Sequence, residues 1–356
     1  MNRNLFRIFV GLSALVISSL ACSSEINEFT SVAFSPDGMY VAAGANDGIT
    51  RIWEAKTGTL IYTFRGHTQD VSDIAYSPNG EILASGSTDQ TAIFWDTTTG
   101  KKLYTFKPEP IVRPIPGSDL ERVSDVIFHA IAFSPDGKLF AAATHADTIH
   151  LWDANSKELV KILKPPSYNK ERESTPYGVE FSSDGKYIIS YAWAGITGPF
   201  FWRTDNFELQ LLGSGNNIEI QAIATSPING HLAISVLGKN NEIEVWDLPS
   251  NEIVTKWEAN SYKTASRALS YSPDGTLIAL GDYDKMFTLW DAKSGNPIPL
   301  DVQLPEKIAE SKTANSIIPT AVSISPDNSL VAISANYGIV GVWDTQTGKL
   351  LWQFSK

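Results

Sequence analysis

The stretch GHTQDVSDIAYSPNGEILASGSTDQTAIFWD, residues 66–96, decides the fold. It reads as three short strands over residues 71–77, 82–86 and 91–95, and residues 103–106 supply a fourth. Pro78 fixes φ, Asn79 tolerates turn conformations and Gly80 takes positive φ, so the first link is a hairpin turn. Asp96 opens the link from third to fourth strand and Gly100 closes it. Short strands separated by turn chemistry predict an all-β fold.

The phrase inside that stretch recurs seven times. It stands as FSPDG (34–38), YSPNG (76–80), FSPDG (133–137), FSSDG (181–185), TSPING (225–230), YSPDG (271–275) and ISPDN (324–328). A Trp follows each copy: Trp53, Trp95, Trp152, Trp202, Trp246, Trp290 and Trp343. Counted from the turn Pro, or from Ser183 in its place, the gap is 17 residues in five copies and 19 in the fourth and fifth. A fixed repeat of this length points to units that bury their faces against one another.

Both faces of each unit are apolar. In the first strand, Val32 and Phe34 lie on one side and Ala33 on the other, and Ala75, Ala132, Ala224, Ser270 and Ser323 repeat the small residue. Stacking sheets face to face about an axis sets large residues of one against small residues of the next, and closure protects the edges. The expected architecture is a seven-bladed β-propeller of four-stranded antiparallel blades. The first copy starts near Phe29 and the last ends in its own fourth strand, so every blade is expected to use contiguous chain.

The Ser-Pro-Asp-Gly and Trp-Asp pattern resembles the WD-repeat family of β-propellers across residues 29–354. Copy two alone is complete, with Gly66-His67, Ser85 to Asp89, and Trp95-Asp96. The resemblance implies a buried hydrogen-bonded tetrad of His67, Ser85, Asp89 and Trp95. Asp47 and Asp284 match Asp89, but no other Gly-His occurs. Most blades should therefore rely on apolar packing.

The amino terminus reads as an address. Arg3 and Arg7 precede a 13-residue apolar stretch, residues 8–20, too short to span a bilayer and suited to a secretory h-region. Ser19 and Ala21 place small residues before Cys22, the single Cys of the chain. This resembles the lipobox of bacterial lipoproteins, although Leu20 stands one place later than the usual Leu, which leaves ordinary signal-peptide cleavage open. The expected organisation is a signal peptide over 1–21, a linker over 22–28 with a lipidated Cys22, and the propeller over 29–356. Such a protein would be secreted and anchored to the bacterial cell envelope.

Composition narrows the function. With 43% hydrophobic residues the chain is too apolar for disorder, and one Cys excludes a Cys-cluster metal site. A formal charge of −11 disfavours nucleic acid and anionic lipid headgroups as partners. No nucleophile elbow, H-E-x-x-H pair, phosphate loop or Asp-rich calcium loop occurs, so no cofactor or metal is expected. His145 and His150 have opposite pleat parity, and His129 and His231 read as isolated.

Antiparallel order puts the links between blades, and those from second to third strand, on one face. The long links at 107–125, 164–176 and 296–319 all belong to it, so it is the expected binding surface. Copy four departs most. Glu180 occupies a small-residue position, with Arg203 as its expected partner, and Tyr191 and Trp193 are candidate partner contacts or a flap over the blade edge. The function expected is a non-enzymatic protein-interaction scaffold. The alternatives are a propeller binding a carbohydrate, peptide or small molecule, and, more weakly, a quinoprotein-like enzyme, whose repeats WDTQTGKLLW (343–352) also resembles.

Overall fold

The structure, a computed structural model, describes residues 28–114, 121–166, 175–192, 199–211, 219–237, 242–259, 268–282, 285–305 and 318–355. Cys22, Trp193 and Asp284 lie outside these residues. Seven four-stranded antiparallel sheets stand in a ring, each ordered as its strands follow in sequence. Blade one comprises β1 (Phe29–Phe34), β2 (Tyr40–Ala45), β3 (Ile49–Glu54) and β4 (Leu60–Arg65). Blade two comprises β5 (Val71–Tyr76), β6 (Ile82–Ser87), β7 (Ala92–Asp96) and β8 (Lys102–Phe106). A separate hairpin follows, β9 (Ile111–Pro114) paired with β10 (Glu121–Ser124). Blades three to seven then occupy residues 128–163 (β11–β14), 176–211 (β15–β18), 219–258 (β19–β22), 269–298 (β23–β26) and 319–355 (β27–β30). The first strands touch in cyclic order and β27 (Pro319–Ile324) meets β1. The seven-bladed ring of contiguous blades expected from the repeats is the observed fold.

The recurring phrase is explained by its own hydrogen bonds. Ser35 Oγ donates to Asp37 Oδ1 and accepts from Tyr40 N, while Gly38 N donates to Ser35 O with φ at +72°. Ser77, Ser134, Ser182, Ser272 and Ser325 repeat the donation to the acid or amide two residues on. The turns also touch across the ring: Pro326 lies against Gly38, Pro36 against Gly80, and Pro78 against Gly137. The acid after the Trp works locally too. Asp96 Oδ1 accepts from Thr98 N and Thr99 N, and Asp344 Oδ1 from Gln346 N and Thr347 N.

The seven repeat Trp are all buried between blades. At the seam, Trp53 packs on Phe29, Trp352 and Phe354 within one apolar cluster that also holds Val41, Leu330 and Val342. Thr320 Oγ1 donates to Phe29 O, Phe34 N to Ser323 Oγ, and Trp352 Nε1 to Ala55 O. Among the described residues, closure is thus face-to-face packing plus these bonds between chain regions about 290 residues apart.

Candidate functional site

Blade two carries the one complete polar cluster suggested by the sequence. Trp95 Nε1 donates to Ser85 Oγ at 2.8 Å, and Ser85 Oγ lies 2.8 Å from His67 Nε2. His67 Nδ1 is 3.1 Å from Asp89 Oδ2, which also accepts from Thr68 N. The consistent assignment is Trp N–H to Ser, Ser O–H to His Nε2, and His Nδ1–H to Asp. Burial pushes the Asp89 carboxyl up, but bonds from His67, Thr91 and Thr68 outweigh it and hold it well below the usual range. The His67 and Asp89 side chains are only 1% and 6% exposed, so this relay ties strands together.

Other blades use substitutes. Trp246 Nε1 donates to Glu244 and Trp290 Nε1 to Thr288, each two residues earlier, while Trp152 stacks on His150. In blade one, Asp47 pairs with buried Arg51 instead of a His, and the guanidinium lies over the Phe29 and Phe354 rings. In blades three, five and six the residue two before the Trp is its partner, a signal that alignment of the copies contains.

The inner strands are linked around the channel. Hydroxyls at the bulge of the first strand in blades one, two and seven reach the next blade: Thr30 to Val71 O, Ser72 to Phe128 O, and Thr320 to Phe29 O. Asp73 accepts from Ser31 Oγ, its own neighbour Ile74 N, and Ile131 N of blade three. Glu180 accepts from Thr225 N of blade five at 2.8 Å. The expected Arg203 partner is therefore corrected, because Arg203 pairs with Asp205 in its own turn. Burial pushes Glu180 up to about 7 and Asp73 to about 6, and the Asp73 charge adds to the rise at Glu180.

A raised carboxyl binds its proton more tightly in the folded state, so it weakens folding as pH rises from about 4.5 to about 7. Glu180→Gln keeps an acceptor for Thr225 N and removes the charge. It is expected to melt higher than the parent at pH 8 and level with it at pH 4, as read by thermal unfolding across pH. Equal melting at both pH values would contradict the buried-charge account.

The face carrying the inter-blade links holds a second group. His129, at the bulge position of β11 (Phe128–Phe133), stacks on Tyr177 of blade four with centroids 4.8 Å apart, and its ring lies 5.6 Å from His145. It is not isolated, as the sequence suggested, because equivalent positions of adjacent blades converge at the channel mouth. Burial and the neighbouring His145 lower its pKa to about 4, so it is neutral at physiological pH. Thr175 Oγ1 donates to Asp147 Oδ1 nearby in sequence to this group. Among the described residues no group of three or more His, Cys, Asp or Glu is placed to hold a metal.

Two links differ from their sequence reading. The link after blade two contains the β9–β10 hairpin, with Val112 opposite Val123, 53% and 45% exposed. The link after blade six starts by covering blade seven: Leu300, Val302 and Leu304 pack on its core, and Gln303 O accepts from Trp343 Nε1. Tyr191 lies over Gly178 and against the apolar cluster of blades four and five, so its ring packs inward. Tyr337, 44% exposed, sits on the link face at φ +60°, a conformation that costs a tyrosine energy.

Comparison with known proteins fits this geometry. Residues 17–54, 58–96, 121–153 and 254–291 match the WD40 family (WD domain, G-beta repeat). The segment 58–96 runs from the fourth strand of blade one through three strands of blade two. The chain is 27% identical over 282 residues to nuclear distribution protein PAC1 of Coccidioides posadasii, covering 74% of this chain and 56% of that protein. It is 28% identical over 294 residues to nuclear distribution protein nudF of Emericella nidulans, covering 77% and 61%. Human apoptotic protease-activating factor 1 is 28% identical over 171 residues, 45% of this chain and 13% of that protein. The chain spans little more than half of the first two relatives and a small part of the third.

Proposed function

We propose that this propeller of WD40 repeats is a non-catalytic scaffold that holds a partner protein on its link face, at the cell envelope. The observation that carries the reading is the β9–β10 hairpin, an addition to the ring that exposes paired valines on that face. Tyr177 and Tyr337 add exposed aromatic surface from blades four and seven. These blades are separated around the ring, so the surface is a broad rim, which suits a protein more than a small ligand. The WD40 relatives support a role in protein interaction at that general level. Cys22, following an apolar segment, supports anchoring by acylation.

A photo-crosslinking residue placed at Val112 or Tyr177 is expected to yield discrete protein adducts in intact cells, and one at Lys293 on the opposite face none of the same size. Equal adducts from Lys293, or none from either link-face position, would overturn the reading. Fatty-acid labelling in the same cells should disappear in Cys22→Ser. An unlabelled parent would remove the anchor and leave the crosslinking result standing.

A further inference from the structure

On the face opposite the inter-blade links, blades one and two part around a cavity of about 350 Å³. Its walls include Tyr40, Tyr62 and Tyr76, with Asp37, Asn79 and Glu81 from the hairpin turns. Tyr62 is fixed, its hydroxyl donating to Thr98 O. Asn79 Nδ2 donates to Glu81 Oε2, which orients that carboxylate. Asp37 Oδ1 accepts from Ser35 Oγ and Met39 N.

Tyr76 differs from its neighbours. Its hydroxyl is buried and has no hydrogen-bond partner. An unpaired buried hydroxyl costs free energy that a ligand can restore. The phenol stays protonated, because burial and the nearby Asp37 and Tyr40 push its ionisation far up. Two carboxylates, three phenol rings and no cationic side chain line this space. The chain as a whole is also acidic, at −11.

We propose that this cavity is a binding site for the arginine side chain of a partner protein. A guanidinium is planar, matches carboxylates through its fork of N–H donors, and stacks on aromatic faces. Its N–H groups would be shared between Asp37 and Glu81, its faces would meet tyrosine rings, and a small turn of the Tyr76 side chain would bring its unpaired oxygen to a remaining N–H. The volume lies at the low end for small-molecule sites, about 300–1,000 Å³, and suits a single side chain better than a larger ligand. The site is separate from the link face and does not depend on which partner binds there.

The test uses the whole mature chain carrying 3-fluorotyrosine, titrated with N-acetyl-arginine methylamide while fluorine resonances are followed. The expected result is a saturable shift of the Tyr76 resonance, assigned by its absence in Tyr76→Phe. N-acetyl-citrulline methylamide, which keeps the shape and loses the charge, should produce at least fivefold weaker binding. The double variant Asp37→Asn, Glu81→Gln should weaken the arginine probe by at least tenfold. It is expected to fold, since Asn79 already serves at the Asp37 position of the next turn. Citrulline binding as well as arginine, an unchanged dissociation constant in the double variant, or no saturable shift would each overturn the proposal. A response to methyl glucoside but not to arginine would overturn it in favour of a sugar.

Discussion

Trp53→Ala is expected to destabilise the ring by about 3–5 kcal/mol, the range for emptying a buried large aromatic site. Trp53 is 1% exposed and lies where the first and last blades meet, touching Phe29, Trp352 and Phe354. The loss therefore falls on the one junction that chain connectivity does not hold. Native-state hydrogen exchange should show residues 29–54 and 339–355 losing protection together, although they stand at opposite ends of the chain. Exchange rising in blade one alone would show that the seam does not depend on this indole. Trp53→Phe should cost much less than Trp95→Phe. The Trp53 N–H is buried without a partner, so removing it relieves a penalty, whereas the Trp95 N–H is bonded to Ser85.

Asp89→Ala should cost about 2–4 kcal/mol, because it strips acceptors from His67, Thr68 and Thr91 at once. The pH dependence separates this from a cavity effect. A carboxyl held below its ordinary value supplies stability that is full above about pH 4 and is lost as pH falls through the depressed folded-state value. The gap between parent and Asp89→Ala, measured by denaturant unfolding, should thus be widest near neutral pH and narrow under acid. A gap independent of pH would assign the loss to packing alone. Asp89→Asn, which retains one acceptor oxygen, should fall between the two.

These two sites differ in how far the sequence exposed them. The tetrad residues could be named from copy two because its motifs resemble the WD-repeat pattern, and that resemblance implied the bonded four. The Trp53 seam could be located, since the first and last copies must meet, but the part of Trp352 could not. Its indole spans the junction and bonds to Ala55 O. Glu180 shows the same limit. Arg203 was the expected partner, but it lies on the third strand of the sheet, paired with Tyr187, while Glu180 is on the first. Two strand spacings, about 10 Å in all, separate them. The partner was a backbone N–H in the next blade.

The chain by itself determined the number of blades, their strand order and their turns. Each of those features is satisfied within a few residues: a Ser bonding an acid two places on, a Gly at positive φ, an acid capping the turn after a Trp. Only the tertiary structure decided which side chains meet across blades, among them His129 with Tyr177, Asp73 with Ile131, and the tyrosines around the opposite cavity. Those pairs lie roughly a repeat apart, and their geometry is set by the closure of the ring, a constraint that no single repeat contains.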